Sequence, residues 1–243
     1  MRIVEVESVS VLSPNMRRIE LAGASLSDFP AGYEGGYVKL VFPQPGKKAL
    51  NRSYTIRHFQ QEPPRLSLDI VVHGESNGPG AEWSRSAKPG DRISIGGPGS
   101  CKRLSPEASW YILAGDMSAM PAILVNLAAL PADAVGHVVL EIINEADKIA
   151  FDKPGGMQLH WVVNPNPTEK NTLLADTVKG LPWRDEPVGV WVAGEFASSR
   201  ALREYFRHER NVGRDAMYLS CYWKIGTTDE GMKAAKRADA EAW

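Results

Sequence analysis

Cysteine is nearly absent, with only Cys101 and Cys221 in 243 residues. They lie far apart in the chain and match neither a metal-binding spacing nor a disulfide framework, so a reduced, intracellular compartment is expected. No run approaches the roughly 20 apolar residues of a membrane span. The opening MRIVEVESVSV has one Arg and an alternating pattern, so it reads as a strand and not as a signal peptide. A formal net charge of −1 excludes a global field for nucleic acid or an anionic membrane, and any basic site must be local. Also missing are His-Glu-x-x-His and Gly-x-Gly-x-x-Gly, whereas Gly-x-Ser-x-Gly occurs once, over Gly74–Gly78. Hydrolysis by a zinc helix therefore has no residues to run on, and the second half lacks the usual dinucleotide fingerprint. The expectation is a soluble, cytoplasmic monomer whose chemistry is carried by a cofactor.

What the chain does have is ordinary globular composition, 43% hydrophobic and 23% charged, over a length that suits two modest domains. The first half alternates at period two. Strands are predicted over Ile3–Leu12, Met16–Leu21, Gly35–Phe42, Asn51–His58, Arg65–Val72 and Asp91–Ile95, punctuated by Gly and Pro, which indicates a small antiparallel barrel. Gly96-Gly97-Pro98-Gly99-Ser100 is expected to end that barrel, with a linker following. Between the fifth and sixth strands, a glycine-rich turn opens a short helix from about Gly78 to Ala87. Such a helix start presents unpaired N–H groups and a positive dipole end, which suits an anion.

The stretch Asn51–Arg57, NRSYTIR, reads as a strand in which Arg52 and Tyr54 share one face. A guanidinium fork suits a diphosphate, an aromatic plane suits an isoalloxazine, and the Thr55 hydroxyl and backbone suit its ring nitrogens. From Trp110 onward the pattern becomes strand–helix alternation. Strands are predicted over Trp110–Ala114, Gly136–Ile143, Gln158–Val163, Gly189–Ala193 and Met217–Cys221, with helices near Ser118–Leu130, Asn171–Lys179 and Ser199–Arg210. That order implies a parallel sheet with its ligand edge at the carboxyl ends of the strands. A last helix is expected from an N-cap at Thr228, carrying Lys233, Lys236 and Arg237.

Arg-x-Tyr-Thr at Arg52, Ser53, Tyr54 and Thr55 resembles the flavin signature of the ferredoxin-reductase-like flavoproteins. Together with AGDMSAMPAI (Ala114–Ile123), the Ala-Gly-Glu ending at Glu195, and Tyr222-Trp223-Lys224-Ile225-Gly226, it resembles the siderophore-interacting proteins, FAD-dependent ferric-siderophore reductases. Met117 departs from the acidic residue usual there. The resemblance implies an α/β two-domain fold, with an N-terminal antiparallel β-barrel FAD-binding domain over 1–106 and a C-terminal α/β NAD(P)H-binding-like domain with a parallel sheet over 107–243. It implies an FAD site lined by Arg52, Ser53, Tyr54, Thr55, Asp69, Ile70, Val72, His73, Gly74, Gly78, Gly80, Ala81 and Trp83, with Asp116 and Ser118 from the second half. It also implies a basic triad, assigned to Lys48, Arg103 and Lys224, that binds an anionic ferric siderophore. The electron donor stays open between NADH, NADPH and reduced ferredoxin, and the basic tail favours an acidic protein. The alternative readings are a general NAD(P)H-dependent flavin or ferredoxin reductase and a non-enzymatic siderophore-binding flavoprotein.

Overall fold

The computed structural model describes residues 1–72, 78–100, 103–104, 108–227, 231–232 and 234–236. The chain forms two compact units, one of Met1–Lys102 together with Ala146–Ala150, the other of Arg103–Glu145 and Phe151–Trp243. His73, Gly74, Lys102, Thr228, Lys233 and Arg237 lie outside the described residues.

In the first unit, six antiparallel strands close into a barrel in the order β1-β2-β5-β4-β3-β6: β1 Arg2–Ser13, β2 Met16–Ala22, β3 Tyr37–Gln44, β4 Lys47–Gln60, β5 Arg65–Val71 and β6 Arg92–Gly99. Closure removes the exposed sheet edges that a flat sheet of this size would present. Val4, Val6, Ile19, Leu21, Val38, Leu40, Ile56, Leu66, Leu68 and Ile95 alternate inward and fill it. Register shifts between Val6 and Ser8 and between Val11 and Ser13 change the phase of β1. Ile3, ahead of both shifts, faces outward by alternation with Val4, and Val11 stands outside beside the second shift, although both are β-branched.

Two boundaries differ from those read in the sequence. β4 starts at Lys47 and not at Asn51, because the Pro45-Gly46 turn pairs Gln44 directly with Lys47. Gly96–Gly99 ends the barrel as expected, but as the last stretch of β6, pairing with Lys39 and Tyr37, and not as a turn after Ile95. Glycine is required there because the Tyr37 ring lies where a Cβ on Gly99 would be.

The barrel unit also takes in a segment that the sequence reading placed in the second domain. Asp147, fully buried, accepts hydrogen bonds from Ser13 Oγ (2.7 Å), Asn15 N (2.9 Å) and Asn15 Nδ2 (2.8 Å). Those bonds anchor residues 146–150 to the β1–β2 turn.

The second unit is a five-stranded parallel sheet in the order β11-β10-β7-β8-β9: β7 Trp110–Gly115, β8 Val135–Ile142, β9 Gly156–Val163, β10 Val188–Glu195 and β11 Met217–Trp223. The helices α2 Met120–Ala128, α3 Leu173–Lys179 and α4 Phe196–Glu204 lie in the crossovers, and α4 runs on into a wider turn over Tyr205–Glu209. β7 and β10 are buried along nearly their whole length, as sheets covered on both faces require. The chain builds outward through β8 and β9, then returns to add β10 and β11 on the other side of β7. The topological switch point therefore lies between the carboxyl ends of β7 and β10. No helix among the described residues is long and apolar enough to cross a membrane.

Candidate functional site

The site in the barrel unit is built on β4 and the helix that precedes β6, α1 Gly78–Ser86. Register pairs Arg52 with Leu40 and Tyr54 with Val38, and directly opposed residues of an antiparallel pair share a face. Arg52 and Tyr54 therefore lie together on the side of β4 that faces the core. Tyr54 packs half-buried against that core, and the Arg52 guanidinium reaches the carbonyl of Asn51 at 3.0 Å. Ser53 is exposed on the opposite face, and Thr55 is buried beside Tyr37.

Helix α1 is held at three points. Trp83 and Ala87 join the barrel core, with Trp83 edge-on to Phe42 at 6.3 Å between centroids. From β2, Arg17 donates to the carbonyls of Ser84 (3.2 Å) and Arg85 (2.8 Å), placing a cation at the negative end of the helix dipole. Near the start, buried Gly80 packs so tightly on Tyr54 that a Cβ would overlap the phenol. Gly78 has φ of +81°, a conformation that glycine adopts at little cost, and Ala81 is buried behind it. The first turn carries no acidic side chain.

These residues fit a flavin dinucleotide. An aromatic plane and a guanidinium share one strand face, and the phenol seats against a helix start built from glycines and free of carboxylates. Trp83 serves the core as well as any ligand, since its ring is partly covered by Phe42.

Two residues expected in the site do not offer their side chains to a ligand. Ile70 points into the barrel core at 1% exposure, as period two dictates with Leu66 and Leu68. Asp69, on the other face, is clasped by Arg18 at 2.7 and 2.8 Å, with Arg57 Nε 3.8 Å away. The hydrogen bond to Asp69 raises the Arg18 pKa, whereas burial lowers that of Arg57. The Val72 amide is likewise engaged, donating to the Asn15 carbonyl at 2.9 Å.

In the second unit, Asp116 sits at the end of β7 with both carboxylate oxygens occupied. Oδ1 accepts from the amide and hydroxyl of Ser118, while Oδ2 accepts from Glu195 N at 2.8 Å and Trp223 Nε1 at 2.7 Å. Gly194, with φ of +148°, leaves room for this carboxylate. Glu195 caps α4, its Oε2 accepting from Ala197 N and Ser198 N, and its Oε1 accepts from Ile225 N at 3.2 Å. Glu141, at the end of β8, has its pKa raised by burial, with the Asn164 amide opposing and Asp116 and Glu195 adding. An acidic residue at a helix start reads as a cap for Glu195, whereas the bonds of Asp116 to Trp223 and of Glu195 to Ile225 have no local signal beyond the Tyr-Trp pair leaving a strand.

Of the three cations assigned to substrate, Lys48 stands exposed on β4 and Arg103 is exposed in irregular chain. The Lys224 ammonium lies 4.6 Å from the Phe196 ring centroid, a cation–π contact. Among the described residues no group of three or more His, Cys, Asp or Glu side chains is placed to hold a metal ion.

Comparison with known proteins bears on the family and the fold. Residues 5–51 and 45–102 match the siderophore-interacting FAD-binding domain, and residues 108–226 match the siderophore-interacting protein model. The chain is 33% identical over 249 residues to the ferric vibriobactin reductase ViuB of Vibrio cholerae, covering 94% of this chain and 91% of that one. The crystal structure of the siderophore-interacting protein SipS from Aeromonas hydrophila superposes with a TM-score of 0.87 at 31% identity, over 99% and 98% of the two chains. The ferredoxin reductase of carbazole 1,9a-dioxygenase shares the fold, with a TM-score of 0.68 at 14% identity over 92% of this chain and 67% of that one.

Proposed function

The chain belongs to the siderophore-interacting protein family, and we propose that it is an FAD-dependent reductase that converts Fe(III)-siderophore to Fe(II) and so releases the iron for assimilation. The observation that carries the reading is the seat of Tyr54 against Gly80, with Arg52 on the same strand face. It places an aromatic plane, a guanidinium and a carboxylate-free helix start within one small unit.

Each residue has a physical task. Arg52 supplies a fixed positive charge with fork geometry for the diphosphate, and the amides at the start of α1 donate to the same group. Tyr54 would offer its aromatic plane to the isoalloxazine, and packing against Gly80 and the core holds its ring in place. Thr55 would offer its hydroxyl and backbone polar groups to the ring nitrogens. Arg17, by holding the far end of α1, fixes where those amides point. Bound FAD supplies the redox chemistry, accepting electrons as a pair and delivering them singly, as Fe(III) requires.

The siderophore complex is the substrate, and no acid–base pair is needed for electron delivery. Lys48, Arg103 and Lys224 are proposed to attract an anionic chelate. ViuB, whose name describes it as a ferric vibriobactin reductase, supports this substrate class.

The reading is tested by heat-releasing the cofactor and by turnover under anaerobic conditions with a ferrous trap. It predicts FAD, about one per chain, and trap signal that requires ferric siderophore. FMN, or protein that takes up no flavin, contradicts it. Chelate binding without Fe(II) production would identify a binding module instead. Fast reduction of free flavin with indifference to the chelate would identify a general flavin reductase.

A further inference from the structure

A ferredoxin-reductase-like second unit implies a nicotinamide dinucleotide at the switch point between β7 and β10, and the residues there do not fit one. A pyrophosphate at a strand–helix edge needs free amides, close glycine backbone and the positive end of a helix. This chain has used all three itself. Two of the amides in the first turn of α4, those of Ala197 and Ser198, are taken by Glu195 Oε2, and the Ile225 amide by Glu195 Oε1. The amides of Ser118 and Glu195 are taken by the Asp116 carboxylate, and those of Ala119 and Met120 by the Asp116 carbonyl, each at 3.0 Å. The start of α2 is buried, with Ala119 at 0% and Met120 at 1% exposure. At Gly115, the one glycine on this loop, Ala119 and Ile123 side chains and the Ala193 carbonyl already close the approach.

Charge points the same way. Asp116, Glu195 and Glu141 bring three carboxylates to one edge, and burial of Glu141 among them is costly enough to raise its pKa. The cation on the neighbouring segment, Lys224, is stacked on Phe196.

We infer that Asp116 and Glu195 close the switch point to a dinucleotide pyrophosphate, so that they act as specificity-determining residues against a tightly bound NADH or NADPH. A nicotinamide donor then meets the flavin only in unsaturated, second-order encounters. This goes beyond the ferric-siderophore reading and is independent of whether that substrate is right.

The test uses ADP-ribose, which carries the pyrophosphate without a hydride, titrated calorimetrically into the full-length protein. The expected result is no saturable binding tighter than about 1 mM. Flavin reduction by NADH and NADPH should rise linearly with concentration through the same range. Glu195→Gln keeps a side-chain acceptor for the α4 amides while removing a charge, and is expected to raise that second-order rate at least about threefold, roughly half a decade. FAD content should not change. Saturable ADP-ribose binding by the parent in the micromolar range overturns the inference, and so does a Glu195→Gln rate equal to the parent's. The ADP-ribose titration reads the same with or without flavin, whereas the siderophore reading is decided separately by chemically reduced protein and ferric chelate.

Discussion

The indole Nε1–H of Trp223, at the end of β11, donates to Asp116 Oδ2 at the end of β7 across 2.7 Å, although the two residues are separated by the whole of the second sheet's sequence. With Glu195 N on the same oxygen, this bond ties β7, β10 and β11 together at their carboxyl ends. Trp223→Phe leaves a nearly buried carboxylate short of one donor. That loss costs about 1–3 kcal/mol. Thermal unfolding should shift down by about 2–4 °C per kcal/mol for a chain of this size, while FAD uptake by the barrel unit stays at the parent level. An unchanged melting temperature would show that the bond contributes nothing net.

Removal of the Arg52 guanidinium should weaken FAD binding by about ten- to hundredfold, the equivalent of one charge-assisted hydrogen-bonded contact of roughly 1.5–3 kcal/mol. Gly80→Ala attacks the same site from the helix, because its Cβ must displace the Tyr54 phenol. It should lower flavin affinity at least about tenfold and alter the flavin spectrum, with far-UV circular dichroism unchanged. Equilibrium flavin titration reads both. Parent affinity in both variants places the flavin elsewhere.

The pair His137 and His160, on adjacent strands β8 and β9, brings Nδ1 of one within 3.1 Å of Nε2 of the other. Both pKa values are lowered, chiefly by burial, and that of His137 further by His160 and Arg184. The folded state therefore holds fewer protons than the unfolded chain in the window below the unfolded value of about 6.5. Stability from this pair is present above that value and is lost as pH falls through the window. Denaturant unfolding at pH 7 and pH 5, followed by tryptophan fluorescence, should show a fall for the parent and a smaller fall for His137→Gln. Comparing parent with variant cancels Glu141, whose raised pKa acts in the opposite sense. Equal slopes would mean that the pair does not titrate on unfolding.

Alanine in place of Lys48, Arg103 or Lys224 should each weaken ferric-siderophore binding about two- to fivefold for an anionic chelate, with the loss shrinking as salt rises. Flavin content should be unaffected. Anaerobic reoxidation of the flavin at subsaturating chelate, at low and high ionic strength, reads the effect. A triple variant that matches the parent at both salts would show these cations to be ordinary solvated surface.

Much of this architecture was legible because its periods are simple. The barrel strands alternate around Val38, Leu40, Leu66 and Leu68, and the parallel strands are continuous apolar runs bounded by glycine, such as WYILAG. Arg52, Tyr54 and the Gly78–Ala81 turn stood out because few other uses combine a guanidinium, a phenol and a glycine-rich helix start. Side-chain function at a distance was not legible. Nothing local marks Asp147 as a partner of Ser13 and Asn15, or Asp116 as the acceptor of an indole over a hundred residues away. The resemblance implies Asp69 and Ile70 in the site, yet Ile70 faces the core and Asp69 a pair of arginines. The Gly96–Gly99 run reads as a turn in isolation, and only the Tyr37 ring on the neighbouring strand explains why the strand needs glycine at Gly99.

The most direct measurement of the central claim is a single turnover. FAD-loaded protein is reduced chemically under anaerobic conditions, freed of excess reductant, and mixed with ferric siderophore in the presence of a ferrous trap. The account predicts complete flavin reoxidation with about two Fe(II) trapped per flavin, at a rate that rises with chelate concentration. Flavin that stays reduced in the presence of excess ferric siderophore, with no Fe(II) in the trap, would contradict it.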